Sequence, residues 1–165
     1  MRNEWKAGIL TASDKGFAGE RQDLSGPAAA ELLEAAGFRV ERYTILPDEA
    51  DAIQVELLHM CDVMALDLVV TTGGTGFAPR DVTPEATAAV LHRMAPGISE
   101  AIRAHSMTLT PKALLSRGIC GIRGRTLILN LPGSPQSVRE SLAFVLEPLL
   151  HGLEILQERD AECAR

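Results

Sequence analysis

The sequence predicts an α/β fold in which a mostly parallel sheet is covered by helices on both faces. Three observations predict it. Segments with strand and helix periodicity alternate along the chain, the strand at residues 66–71 is rich in β-branched residues, and that strand runs directly into a glycine-rich loop. A chain of 165 residues has the usual size of one domain, so we expect residues 1–165 to form a single domain.

The first elements follow from short apolar runs and their boundaries. Residues 7–11 are apolar and lead into a polar loop at residues 13–19, which indicates a buried strand. A helix is expected over residues 28–36, with Asp23 or Ser25 as its cap.

The second strand and helix are predicted by two different periods. Residues 38–46 alternate between apolar and polar side chains and stop at Pro47, which predicts a strand. Apolar residues then recur at helical spacing after Asp48, as far as Met64. The order so far is therefore strand, helix, strand, helix.

The central strand at residues 66–71 is followed by a helix with a clear start signal. Thr83 is expected as its N-cap and Pro84 as its first residue. Pro96 and Gly97 are expected to end this helix.

The last part of the chain predicts one helix, two strands and a long helix. Pro148 is expected to kink or divide the long helix, and the charged tail from residue 157 is expected to fray. The predicted ranges are residues 98–107 for the helix, 119–122 and 126–131 for the strands, and 138–156 for the long helix.

Charge and composition exclude several classes of function. The net charge is −6 and no dense cluster of Lys and Arg occurs, so nucleic acid is not an expected partner. No apolar run approaches the roughly 20 residues of a membrane span. The first residues lack the features of a secretory signal, so we expect a cytoplasmic protein. The three cysteines are odd in number and widely spaced, which indicates buried or idle thiols.

The strongest candidate for ligand binding is the glycine loop, residues 72–76, with the sequence Thr72-Gly73-Gly74-Thr75-Gly76. It leaves the carboxyl end of the central strand, where open α/β sheets bind ligands. Three glycines in four residues let an anion approach the backbone N–H groups, so we expect a phosphate-bearing ligand here. The loop matches neither the Walker pattern nor the dinucleotide fingerprint. A plain tight turn is the alternative.

Two acids follow strand ends and are candidates for a metal site. Asp48 comes just after one strand, and Asp81 ends the segment that continues the glycine loop. If the fold brings the two carboxylates together, they repel each other unless a cation lies between them, and Mg²⁺ suits such oxygen ligands. The alternative for Asp48 is a helix N-cap.

Other polar residues are less specific. Ser13, Asp23 and Ser116 each lie in a predicted loop, where a turn residue is the simpler interpretation. Pro132 and Gly133 lie between a strand end and a helix start, which is a second possible anion site. The four histidines have no ligand spacing.

In combination these residues resemble a known family, the molybdopterin adenylyltransferases, which are Mog-type proteins of molybdenum cofactor biosynthesis similar to the G domain of gephyrin. The resemblance covers about residues 5–156. It rests on five motifs in the family's order: Thr11-Ala12-Ser13-Asp14, Pro47-Asp48-Glu49, the glycine loop with Pro79-Arg80-Asp81-Val82-Thr83-Pro84-Glu85, Leu115-Ser116-Arg117, and Asn130-Leu131-Pro132-Gly133.

The resemblance implies a three-layer α/β/α sandwich and a reaction in which ATP and molybdopterin give adenylylated molybdopterin and pyrophosphate with Mg²⁺. It implies a homotrimer, with a molybdenum-insertion protein as a further candidate partner. Asp48 and Asp81 match the essential carboxylates. The loop residues Gly73 to Gly76 match the phosphate and pterin pocket, and Ser13, Asp23 and Ser116 match ligand-contacting positions. Lys15 and Arg125 depart from residues common in the family.

Three other interpretations stay open from the sequence. The chain is also compatible with a non-catalytic molybdopterin carrier in the same pathway. A scaffold role, as in gephyrin-like fusions, is a second alternative. A flavodoxin-like electron carrier is a third, although only six aromatic residues are available to stack on a flavin.

Overall fold

One mixed sheet of six strands forms the centre of residues 4–159, which are the residues that the computed structural model describes. The spatial order of the strands is β2-β1-β3-β6-β5-β4. Their bounds are β1 Trp5–Ala12, β2 Phe38–Leu46, β3 Leu68–Thr72, β4 Arg93–Met94, β5 Cys120–Arg123 and β6 Thr126–Leu131.

Helices cover both faces of this sheet, which confirms the predicted three-layer α/β fold. Their bounds are α1 Asp14–Phe17, α2 Ser25–Ala35, α3 Ala50–Leu58, α4 Thr83–Val90, α5 Pro96–Met107 and α6 Pro135–Leu156. A π-helical turn, His59–Val63, extends α3, and a 3-10 helix, Pro111–Leu115, precedes β5.

The sheet is mostly parallel, as predicted, because β2, β1, β3 and β6 pair in parallel, whereas β5 and β4 join antiparallel. The register aligns the strand ends. Ala12 pairs with Leu46, and Thr72 pairs with both Thr11 and Leu131. The segments that follow these four strands therefore leave the sheet at one edge.

The alternation of side chains along the strands explains the three layers. In β1, Ile9 belongs to the core under α2 and α6, and the next residue, Leu10, belongs to the core under α3 and α4. Leu129 and Ile128 of β6 divide in the same way. All four side chains are fully buried, so both faces of the central strands exclude water.

Buried polar groups beneath the glycine loop are paired through one asparagine. Asn130 on β6 donates from Nδ2 to the hydroxyls of Thr71 (2.9 Å) and Thr87 (3.0 Å), and its Oδ1 accepts from the Ile119 amide at 3.2 Å. This network ties β6, β3 and α4 together directly under the site end of the sheet.

Several predicted boundaries were wrong. The expected loop at residues 13–19 contains the short helix α1, because the Ser13 hydroxyl accepts from the Gly16 amide at 3.0 Å and starts a helical turn. The helix that begins at Thr83 ends at Val90, and the two-residue strand β4 follows it. Pro96 begins α5 rather than ending a helix, since proline suits a first helical turn.

The expected cap of α4 and the expected division of the long helix also need correction. Thr83 is not the N-cap of α4. Val82 occupies that position, and the buried Thr83 hydroxyl has no hydrogen-bond partner. The helix α6 continues through Pro148 without being divided.

The prediction of buried thiols is confirmed for Cys61 and Cys120, while Cys163 and most of the predicted tail lie outside the described residues. Burial raises the pKa of Cys61 to about 11 and that of Cys120 to about 12, so both remain protonated at neutral pH. Every helix within residues 4–159 is too short or too polar to span a membrane.

Candidate functional site

The glycine loop turns sharply where it leaves β3. Gly73 and Gly74 have φ values of +85° and +67°, in the left-handed region that favours glycine. A Cβ on Gly73 would lie 2.4 Å from the Ala12 carbonyl oxygen, and one on Gly74 would lie 2.2 Å from Thr83 Oγ1. Both positions therefore require glycine, and the loop backbone packs closely against the end of β1.

Three consecutive amides of this loop are free. Within the described chain, the N–H groups of Gly74, Thr75 and Gly76 donate no hydrogen bond, whereas the Gly73 amide donates to the Leu131 carbonyl at 3.3 Å. Successive unpaired amides next to a cavity are the donors that an anion-binding loop needs.

Asp48 is held at the site by a reciprocal contact with Asp14. Its Oδ2 accepts from the Asp14 amide, and Asp14 Oδ1 accepts from the Asp48 amide, both at 3.0 Å. Burial raises the pKa of Asp48, and the charges of Asp14 and Asp81 raise it further, against the opposing effects of the Asp14 amide and Arg80. The N-cap alternative is wrong, because Glu49 occupies that position in α3.

Arg80 ties the segment that follows the glycine loop to α1. Its Nε and Nη2 donate to the two carboxylate oxygens of Asp14, at 2.6 Å and 3.0 Å. The hydrogen bond from Arg80 lowers the pKa of Asp14 below its usual range. The charge of Asp14 is therefore balanced by Arg80, whereas Asp48 has no arginine in direct contact.

Asp48 and Asp81 lie against the same loop. A Cβ on Gly74 would lie 3.3 Å from Asp48 Oδ1, and one on Gly76 would lie 2.9 Å from Asp81 Oδ2. The absence of side chains at these glycines leaves room for both carboxylates, and the same Asp81 oxygen accepts from the Ala78 amide at 2.9 Å.

Asp48 and Asp81 are oxygen donors of the kind that a magnesium ion takes from proteins. No group of three or more His, Cys, Asp or Glu side chains that could hold a metal occurs among residues 4–159. Two carboxylates nevertheless suffice for Mg²⁺, which usually takes one or two from the protein and completes its shell with water and substrate phosphates. Asp48 and Asp81 would supply those two.

A cavity of about 590 Å³ opens beside these acids at the ends of β1 and β3. Since β2 and β3 lie on opposite sides of β1, this is the point where the strand order reverses and where such sheets bind ligands. The cavity brings together eight of the predicted site residues: Ser13, Asp23, Asp48, Thr72, Gly73, Gly74, Asp81 and Gly133.

A second cavity of about 250 Å³ lies on the other side of the loop. Its lining combines apolar groups from α5 and the 3-10 helix with the basic residues Arg103 and Lys112 and the acidic residue Glu140. The other four predicted residues line it: Thr75, Gly76, Ser116 and Pro132. The glycine loop is thus shared between the two cavities.

Asp23 lines the first cavity, but its carboxylate is already saturated with donors. Oδ1 accepts from the amides of Ser25 (3.0 Å) and Gly26 (3.3 Å), which caps the start of α2. Oδ2 accepts from the hydroxyls of Thr11 (2.7 Å) and Tyr43. Asp23 is therefore suited to shaping the cavity wall rather than to holding a cation.

The sequence did not single out several residues at the site. Tyr43 lies on a strand, where alternation indicates only that it belongs to a sheet. Arg21 and Gln22 line the first cavity from an irregular segment without a motif. Arg117 belongs to the motif Leu115-Ser116-Arg117, but its binding to the loop through main-chain carbonyls could not be predicted, because carbonyl acceptors leave no mark in a sequence.

Comparison with known proteins points in one direction. Residues 8–152 match the family model described as a probable molybdopterin binding domain. A molybdopterin adenylyltransferase of Helicobacter pylori strain J99 is 46% identical over 154 residues, which cover 90% of this chain and 86% of that protein. Gephyrin of Dictyostelium discoideum is 39% identical over 166 residues, covering 94% of this chain and 23% of gephyrin.

The fold comparison agrees. The crystal structure of the molybdopterin biosynthesis enzyme MoaB from Thermus thermophilus superposes with a TM-score of 0.89 at 51% identity, covering 93% of this chain and 97% of that one.

The requirement for glycine at position 73 can be separated from the cost of its backbone angle. Gly19 has a similar φ of +77°, but no atom lies within 4 Å of a Cβ added there. We expect Gly19→Ala to lower the free energy of unfolding by about 1–2 kcal/mol for the left-handed conformation alone. Gly73→Ala should lower it by about 1–3 kcal/mol more, because of the clash with the Ala12 carbonyl. Urea unfolding measures both, and equal losses would contradict a steric requirement at Gly73.

The raised pKa of Asp48 predicts that this residue costs stability. Its ordinary pKa is 3.8, and the folded protein holds the proton more tightly. As pH rises from 3.8 through the raised pKa, the free energy of unfolding therefore falls. In urea with EDTA, we expect Asp48→Asn to unfold at a higher midpoint than the wild type at pH 7, and the difference should shrink on acidification.

Asp14→Asn is the matched control for that experiment, because the pKa of Asp14 is lowered by its bond with Arg80. Ionised Asp14 stabilises the fold above its ordinary pKa, so this variant should unfold at a lower midpoint at pH 7. An Asp48→Asn protein less stable than the wild type at pH 7 would show that Asp48 is not under electrostatic strain.

Proposed function

Because this chain belongs to the family of probable molybdopterin binding domains, we propose that it is an enzyme of molybdenum cofactor biosynthesis that adenylylates molybdopterin with ATP and releases pyrophosphate. The observation that carries the proposal is the pair of cavities that share one glycine loop. A reaction between two anionic substrates needs two adjoining sites and donors common to both.

The charges suggest which substrate each cavity takes. The larger cavity contains Asp48 and Asp81 as well as Arg21, and the two carboxylates favour an anion that arrives together with a cation. MgATP meets this requirement. The smaller cavity combines apolar surface with two basic residues, Arg103 and Lys112, and one acid, Glu140, and this balance suits a flat pterin that carries a phosphate. We assign ATP to the first cavity and molybdopterin to the second.

In this arrangement the terminal phosphate oxygen of molybdopterin attacks the α-phosphorus of ATP, and the bond to the bridging oxygen of the β-phosphate breaks. The free amides of Gly74, Thr75 and Gly76 hold the phosphate groups between the cavities. Asp48 and Asp81 orient the nucleotide from its other side. Mg²⁺, when bound, would neutralise charge on the leaving pyrophosphate.

Positioning and electrostatics account for the reaction without a covalent intermediate. Both cysteines among the described residues are buried and protonated, and both lie outside the two cavities. The direct transfer in one step therefore matches the groups that line the site.

The decisive assay is Mg²⁺-dependent release of pyrophosphate from ATP in the presence of molybdopterin. Asp48→Ala and Asp81→Ala should each reduce turnover by about 100-fold or more, because each removes a preorganised charge at the reacting phosphates. Asp62→Ala is the control, since Asp62 pairs with Arg123 away from the site and should keep wild-type turnover. Undiminished turnover in both site variants would overturn the mechanism.

A non-catalytic carrier is the second candidate, and the same materials distinguish it. A carrier would bind molybdopterin in calorimetry but release no pyrophosphate with ATP and Mg²⁺. The adenylyltransferase proposal requires release.

We also propose that the protein works as a cytoplasmic homotrimer, which the family resemblance supports. Sedimentation equilibrium should then give three times the chain mass of 17.7 kDa. A species of single-chain mass at micromolar concentration would contradict the trimer.

A further inference from the structure

Arg117 makes an unusual set of contacts with the segment that carries the candidate site. Its Nε donates to the Gly76 carbonyl at 2.8 Å, and its Nη2 donates to the Asp81 carbonyl at 2.7 Å. Its own amide donates to the Thr75 carbonyl, also at 2.8 Å. A single residue therefore holds three carbonyls of the stretch from the glycine loop to Asp81.

The remaining nitrogen of the guanidinium binds the helix that follows the held segment. Nη1 donates to a carboxylate oxygen of Glu85, in the first turn of α4. The planar guanidinium thus presents its donors in a fixed geometry to both ends of the segment from Gly76 to Asp81 and to the helix α4 that follows this segment.

Arg117 acts from outside both cavities. It lines neither of them, although the preceding residue, Ser116, lines the second. The backbone it holds bears two different functional groups: the free amides of Thr75 and Gly76, and the carboxylate of Asp81. Its effect on a bound substrate must pass through that backbone.

We propose that Arg117 is a positioning residue that holds the Gly76 and Asp81 carbonyls and thereby keeps the loop amides and the Asp81 carboxylate aligned where the two cavities meet. The proposal rests on the proposed function for its kinetic consequence. The restraint on the loop is a separate statement that needs no substrate.

Glu85 separates this role from that of an ordinary ion pair. If the ion pair were the important contact, Glu85→Gln would disturb the loop as much as a change at Arg117. If the carbonyl contacts are the important ones, Glu85→Gln should leave the loop as it is, because both bonds to the loop remain.

Arg123 provides a matched arginine elsewhere in the chain. Its Nε and Nη2 bind the carboxylate of Asp62, and its Nη1 donates to the Val90 carbonyl at 2.8 Å. Like Arg117 it is mostly buried, with 20% of its side chain exposed against 33%. Arg123→Met therefore removes a similar arginine without touching the glycine loop.

The first measurement is hydrogen exchange of the protein alone. The informative amides are those bonded within the segment: Ala78 to the Asp81 carboxylate, Asp81 to the Ala78 carbonyl, and Thr83 to the Gly74 carbonyl. We expect Arg117→Met to accelerate their exchange about fivefold or more, because two hydrogen bonds to the loop are lost. Arg123→Met and Glu85→Gln should leave these rates unchanged.

The second measurement is pyrophosphate release. Arg117→Met should lower kcat about tenfold and raise the Mg²⁺ concentration for half-maximal rate, while the KM for molybdopterin changes less than about twofold. Arg117→Lys should give values between those of Arg117→Met and the wild type in both measurements. Its ammonium group keeps a positive charge and hydrogen-bond donors but lacks the planar donor geometry of the guanidinium. A general loss of stability would instead affect Arg117→Met and Arg123→Met alike.

Unchanged exchange at the three amides in Arg117→Met, or equal acceleration in Arg123→Met, would overturn the proposal. If Arg117→Met fails to fold, Arg117→Lys and Glu85→Gln decide. Exchange rates and kcat at wild-type values in Arg117→Lys, or faster exchange in Glu85→Gln, would refute the proposal that Arg117 acts through its bonds to the two carbonyls. A wild-type protein that releases no pyrophosphate would refute the proposed function alone, since the exchange rates still report on the restraint.

Discussion

Four parallel strands end at one level, and the whole site depends on that alignment. The register pairs Ala12 with Leu46, and Thr72 with Leu131, so the chain segments after β1, β2, β3 and β6 start side by side. Asp48 and Gly74 come from different parts of the sequence and meet only for this reason. The glycine loop also packs closely against the end of β1, because a Cβ on Gly73 would clash with the Ala12 carbonyl oxygen.

The charges at this edge do not favour the stability of the chain, which is what the proposed cation site leads us to expect. Asp14 has Arg80, whereas Asp48 is half-buried beside two other acids and its pKa is raised. A protein selected only for stability would replace such a carboxylate with a neutral side chain. A cation bound between Asp48 and Asp81 would relieve the repulsion, so the proposed binding of a nucleotide with its metal would be coupled to the stability of this region.

The sequence predicted the parts of this molecule that local physics determines. The alternation at residues 38–46 predicted β2 with both ends correct, and the run of glycines located the sharp turn because only glycine tolerates those backbone angles. The cap at Thr83 failed for a tertiary reason. Gly74 packs against this residue and its carbonyl accepts from the Thr83 amide at 3.1 Å, so the Thr83 hydroxyl is buried beside Gly74 instead of turning back to cap its own helix.

Local sequence patterns could not predict contacts between residues that lie far apart in the sequence. Arg117 reaches carbonyls that lie 41 and 36 residues earlier, and every residue type offers the same carbonyl. Tyr43 reaches Asp23 across 20 residues through a hydroxyl that an exposed strand residue would equally direct to water. In both cases the side chain was visible in the sequence, but its partner was determined by the packing of separate elements.

The division of the site into two cavities bears most directly on what the protein does. A carrier of one ligand needs one cavity, and a loop buried on one side would serve it. Here the first part of the glycine loop lines a space that contains Asp48 and Asp81, and its last two residues line a second space that combines apolar groups with Arg103, Lys112 and Glu140. In the proposed reaction, two anions bound to the same short run of amides lie close enough to react. The backbone N–H groups offset the repulsion between the two anions, and they need no rearrangement because the loop already holds them in place. That geometry favours transfer of a group between two substrates over storage of one.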